Sequence, residues 1–202
     1  MRTLIHIAII HSEADLGSAA RQVRSRFERE TWLRRQGKIL RYWQQISREL
    51  DLMGLDWSRA KVYHDSLPVG GSEGLELVRD LAARGSPDFR LVQQLVAKGA
   101  TLVATEDPQL LVREYELLRA ARPCPREDLD RLLEARDRYM AARIAETLGA
   151  GETGVLFVGA AHRVTRFLPA DIQVVLVPRP LPPGAGGSSD IRRGARSSPP
   201  GA

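Results

Sequence analysis

Hydrophobic and polar positions follow two different periods along this chain, and the changes of period mark its elements. Residues 3–10, TLIHIAII, form a nearly continuous apolar run, which predicts a strand covered on both faces. From about Asp15 to Leu50 the spacing is helical. Ala20, Val23 and Phe27 make one stripe, and Trp32, Ile39, Trp43, Ile46 and Leu50 make a second, with Gly37 as the expected weak point. AKVYH at 60–64 predicts a short second strand, and the SLPVGG segment after it predicts a flexible loop that includes Gly70, Gly71 and Gly74. Helices are expected over 73–84 and 87–98. The second of these has Ser86 as N-cap, Pro87 at the first helical position, Asp88 in the first turn and Gly99 past its stop.

ATLVAT at 100–105 predicts a third strand. Pro108 opens a helix to about Ala121, and the PCP segment breaks the chain before a longer helix from Arg126 to Leu148. GVLFVG at 154–159 and IQVVLV at 172–177 are the last two strands. Strands alternating with helices predict an α/β fold: a mostly parallel sheet flanked by helices, with one long Arg-rich helix after strand one. Beyond Pro178 the composition turns to Pro, Gly, Ser and Arg, which cannot bury a core. One domain over 1–178 and a disordered tail over 179–202 are therefore expected.

The length of 202 residues agrees with a single domain. The one cysteine, Cys124, lies between two prolines with no histidine nearby and supports neither a disulfide framework nor a thiolate metal site. No apolar run approaches the roughly 18 residues of a membrane span. The N-terminus lacks a small-residue cleavage site, which predicts a soluble, cytoplasmic protein. The net charge of +5 is unevenly placed. Residues 21–48 carry +7 and the segment from Arg179 carries +3, which leaves the rest at −5. The basicity thus belongs to one helix and one tail. It reads first as a solvated helix face, and second as a surface for nucleic acid or another anionic partner.

The polar residues at the strand ends carry the candidate chemistry. His11 follows strand one, His64 ends strand two, Glu106 and Asp107 follow strand three, and His162 follows strand four. In a parallel sheet all carboxyl ends lie on one edge, outside which ligands bind. His11, His64, Glu106 and His162 have the chemistry of a divalent-metal site, or of a histidine–carboxylate acid–base pair. His6, inside strand one, reads as a satisfied core histidine. Arg136 falls within the apolar stripe of Leu129, Leu133, Met140, Ile144 and Leu148. A guanidinium directed inward needs a carboxylate, carbonyls or an anionic ligand, so Arg136 is a candidate for substrate orientation or oxyanion stabilisation. Ser12 and Ser66 lie close to the rim, but no nucleophile elbow surrounds either. Neither a P-loop nor GxGxxG is present.

The stretch Arg136–His162, RDRYMAARIAETLGAGETGVLFVGAAH, resembles the TraB/PrgY/TIKI and ChaN/erythromycin-esterase-like superfamily. There a helix of the form R-[ND]-x-x-M-A-x-x-I leads to a strand ending in G-x-x-H. Here Arg136–Asp137, Met140–Ala141, Ile144 and Gly159–His162 supply those positions. The first strand ends in Ala8-Ile9-Ile10-His11, where the histidine of a second such motif matches and the glycine does not. The resemblance implies an α/β core and a site built from His11, Arg136 and His162. The function expected from residues and resemblance together is a metal-assisted or acid–base hydrolase of peptide or ester bonds. In it His11, Glu106, Arg136 and His162 are catalytic, and His11, His64, Glu106 and His162 are ligands for a divalent metal ion. The partner is then a small-molecule or peptide substrate, with self-association left open. A non-catalytic binding or signalling module using the same rim is the alternative, with the nucleic-acid surface third.

Overall fold

The structure, a computed structural model, describes residues 1–15, 20–119 and 125–178. Cys124 and the expected tail lie outside the described residues. Five strands form one sheet: β1 (Arg2–Ile9), β2 (Ala60–His64), β3 (Thr101–Leu102), β4 (Thr153–Gly159) and β5 (Ile172–Val177). All pairs are parallel and the order is β3-β2-β4-β1-β5, as the alternating elements predict. The carboxyl ends of the strands therefore share one edge.

Helices cover both faces, which is why β1 and β4 read as continuous apolar runs. Against one face lie α2 (Arg29–Leu52), α3 (Gly71–Ala83) and α4 (Pro87–Ala97). Ile39, Trp43 and Ile46 of α2 and Phe89, Val92 and Leu95 of α4 pack there on Ile5, Ile7, Val62, Val155 and Phe157. The opposite face is covered by α6 (Arg126–Thr147), whose Met140, Ala141 and Ile144 pack on Leu4, Tyr63, Leu156 and Val158. Alternation within each strand sends neighbouring residues to opposite cores.

Three local expectations are corrected. The long segment after β1 does not weaken at Gly37. It divides instead between α1 (Ala20–Arg24) and α2, across 25–28, where Glu28 is extended and takes the N-cap position. Five buried side chains along α2 stabilise it by about 1.5–3 kcal/mol each, which outweighs the roughly 1 kcal/mol cost of one helical glycine. Gly71 and Gly74 belong to α3 rather than to a loop. A Cβ on Gly74 would lie 2.6 Å from the Val69 carbonyl oxygen, so glycine is needed for that close approach.

β3 is also shorter than the apolar run suggests. Past Leu102 the chain leaves the sheet, and the amides of Thr105 and Glu106 both donate to the Leu67 carbonyl, at 2.8 and 3.1 Å. This turn carries Glu106 inward over the end of β2. The predicted helix opening at Pro108 is α5 (Pro108–Arg119). No helix among the described residues is long and apolar enough to cross a membrane.

Candidate functional site

The strand ends bring His11, His64, Glu106 and His162 to one edge, but their side chains divide between the faces of the sheet. His11 is exposed. His64 is buried on the α2–α4 face, stacked on Phe89 at 4.3 Å and on Phe157 at 6.0 Å between ring centroids. Its Nδ1 accepts from the Ser66 amide at 3.1 Å, so the neutral ring carries its proton on Nε2. That atom stands 3.5 Å from Asp88 Oδ2 with no hydrogen bond among the described residues. Burial opposes a charge on this ring, but the Asp88 and Asp65 carboxylates outweigh it, and the His64 pKa is raised. Ser86 takes the N-cap position of α4 without capping it; its hydroxyl bonds Asp88 instead.

On the α6 face two pairs of polar side chains meet beneath the ends of β2 and β4. Arg136 is 5% exposed and Glu106 1%. Arg136 Nη2 reaches Glu106 Oε1 at 2.5 Å, and Nε lies 3.1 and 3.3 Å from the two carboxylate oxygens. Nη2 also donates to the Asp65 carbonyl at 2.9 Å, and Nη1 is 2.8 Å from Glu114 Oε2. A guanidinium in the apolar stripe thus finds the carboxylates and carbonyl it requires. Each of its three nitrogens is engaged by the protein, so the geometry makes it a positioning residue that ties α6 to β2, α5 and the turn after β3. Burial pushes the Glu106 carboxyl up to about 7 against the pull of Arg136. Burial also works against the Arg136 charge, but Glu106 and Glu114 outweigh it and its pKa is raised.

Beside this pair, Asp137 Oδ1 stands 2.6 Å from His162 Nδ1, and Asp137 Oδ2 accepts from the Arg163 amide at 2.8 Å. His162 is held from the strand side by its own amide, which donates to the Gly159 carbonyl at 3.0 Å. The other ring nitrogen, Nε2, faces Asp65 Oδ2 at 3.8 Å. Asp65 is the residue common to everything here. Its Oδ2 accepts from the Gly159 amide at 2.6 Å; its Oδ1 accepts from the Ser66 hydroxyl at 3.2 Å and lies 3.4 Å from His64 Nδ1.

Four residues were expected to act together as metal ligands, and their side chains do not form one ligand set. Glu106 faces Arg136, His162 Nδ1 is held by Asp137, His64 is on the far face and His11 is exposed. Among the described residues, no group of three or more His, Cys, Asp or Glu side chains is arranged to hold a metal ion. The donor set does not fit a divalent metal. His6 is half-buried, and burial holds its pKa below the ordinary value. Ser12 bonds Asp15 Oδ2 at 2.8 Å within the loop after β1.

Asp65, Asp88, Glu114 and Asp137 complete the site and were not among its expected members. A signal existed for Asp65: in a strand ending Tyr63-His64-Asp65, alternation puts the first and third on one face and His64 on the other. No protein family, curated protein or solved structure matches this chain.

Proposed function

We propose that this chain is an acid–base hydrolase of peptide or ester bonds, similar in kind to the TraB/ChaN-like superfamily that its Arg136–His162 stretch resembles. The observation that carries this reading is the 2.6 Å contact between Asp137 and His162. A carboxylate can only accept, so Asp137 keeps the ring proton on Nδ1 and leaves Nε2 free as the base. In the reaction Nε2 takes a proton from the attacking water, the water oxygen bonds the carbonyl carbon, and the imidazolium returns the proton to the departing amine or alcohol. Asp137 and Asp65, on either side of the ring, stabilise the imidazolium while it exists. Arg136 and Glu106 touch no substrate; they fix Asp65 and the middle of α5 around the base.

Both ends of the motif that carries the resemblance contribute to this pair, Asp137 from α6 and His162 from the turn after β4. That supports reading them as a unit. The test is turnover of a panel of nitrophenyl esters and unstructured peptides by the wild type, His162→Ala and Asp137→Asn. Loss of the base lowers kcat by about 10²–10⁴-fold, with the fold retained by circular dichroism. A His162→Ala protein as active as the wild type overturns the proposal.

A further inference from the structure

A cleft of about 450 Å³ opens beside Asp137, between the first half of α6 and the 3₁₀ turn Val164–Phe167. Its size is that of a site for a small organic molecule. Asp130, Glu134, Asp137, Arg126, Arg163 and Arg166 line it, together with the apolar Leu133 and Phe167. Three acids face three arginines here, but their pairings differ. Asp130 is paired with Arg126 at 3.8 Å, Glu134 with Arg138 at 2.6 Å, and Asp137 with His162 and the Arg163 amide. Arg163 and Arg166 are exposed and have no carboxylate partner among the described residues. Their backbones are fixed by the turn itself, since the Arg166 amide donates to the Arg163 carbonyl at 3.0 Å. The Phe167 ring beside them is held by the Arg138 guanidinium stacked over it at 4.4 Å.

Two unmatched guanidinia over an apolar wall select a ligand of complementary form. We propose that the cleft binds a small organic acid, its carboxylate or phosphate held by Arg163 and Arg166 and its apolar part resting on Leu133 and Phe167. Guanidinium forks match both oxyanions bidentately, whereas the acids of the cleft already have partners. The inference rests on the hydrolase reading for the substrate class alone: an anionic ester or amide held on the Asp137 side of the His162 ring.

The test is calorimetric titration of the full chain with phenylacetate, phenyl phosphate and the neutral 2-phenylethanol. At least one anion is expected to bind, and the neutral alcohol at least about ten-fold more weakly. Arg163→Ala and Arg166→Ala each weaken anion binding by roughly ten- to a hundred-fold, as loss of a charge-assisted hydrogen bond requires. Arg166→Lys restores part of the loss. The tighter of the two anions identifies the oxyanion. The inference is overturned if neither anion binds at about 10 mM, a concentration that reports even a very weak site. Equal binding of the alcohol, or wild-type affinity in both alanine variants, overturns it as well. Binding is read without turnover, so the two proposals fail separately. His162→Ala should keep the anion and lose hydrolysis. Hydrolysis that needs His162 without anion binding removes the substrate class alone.

Discussion

The Gly159 amide donates to Asp65 Oδ2 at 2.6 Å, so the end of β4 is clasped to the end of β2 by a side chain where the ladder of sheet bonds stops. Asp65→Ala removes the acceptor and leaves a partly buried N–H without its partner, which costs about 1–3 kcal/mol in urea unfolding. Asp65→Asn keeps an acceptor of the same shape and should cost clearly less. It also removes the negative charge 3.8 Å from His162 Nε2, so under the proposed hydrolase reading kcat should fall about ten-fold even where the fold is intact. Equal losses of stability in the two variants would show that the clasp contributes nothing.

Arg136 and Glu106 form a pair whose halves depend on each other. Arg136→Met leaves the Glu106 carboxyl buried without its donor and should destabilise the protein by about 3–5 kcal/mol. Arg136→Met combined with Glu106→Gln should be more stable than Arg136→Met alone, because the second change removes the uncompensated acid. Urea midpoints of the three variants and the wild type form a double-mutant cycle. Strict additivity would rule out the coupling.

The same carboxyl makes stability depend on pH in an unusual direction. Its folded pKa, about 7, lies above the ordinary 4.5, so between these values the folded chain holds a proton that the unfolded chain has released. Protonated Glu106 therefore contributes stability that is fully present below about pH 4.5 and is lost as pH rises through about 7. The total is about 3 kcal/mol. The measurement is the difference in Tm between the wild type and Glu106→Gln from about pH 5 to pH 8. The wild type should lose ground to the variant on going alkaline, and a constant difference would contradict the assignment.

One substitution at two glycines should have opposite signs. Gly37→Ala adds a Cβ whose nearest neighbour is the flexible Arg41 Nη1 at 3.6 Å, in the middle of a continuous helix. It should stabilise by up to about 1 kcal/mol. Gly74→Ala pushes a Cβ to 2.6 Å from a backbone oxygen that cannot swing aside, and should destabilise by about 1–3 kcal/mol. Thermal melts of the two proteins decide both.

The sheet was legible because helices cover both faces of β1 and β4, which read as apolar runs, and the short runs of β2 and β5 were placed at their observed bounds. β3 reads too long in the sequence because Val103, Ala104 and Thr105 are as strand-like as Thr101 and Leu102. What diverts them is a distant acceptor, the Leu67 carbonyl, to which no local pattern points. Arg136 was legible as a charge inside an apolar stripe. Asp137 showed only as a position of the resembled motif and not in the periodicity, because one stripe accounts for one buried face, whereas α6 is buried both on the sheet and beneath the turn that carries His162. The edge of the sheet was inferred correctly from the strand ends. The division of its histidines between two faces required following alternation to the last residue of β2.

β1 lies between β4 and β5, and its hydrogen-bonding neighbours begin only at Thr153 and Ile172. As the chain leaves the ribosome, β2 and β3 emerge within about forty residues of each other and can pair early, but β1 remains an apolar segment without an adjacent strand. The centre of the sheet, and with it the clasp from Asp65 to Gly159, closes only when the final quarter of the domain has been synthesised. Its assembly is governed by the longest loop closures in the molecule, the slowest kind of contact to form. A nascent chain that stalls before β4 leaves the N–H and C=O groups along both edges of β1 without a strand to pair with.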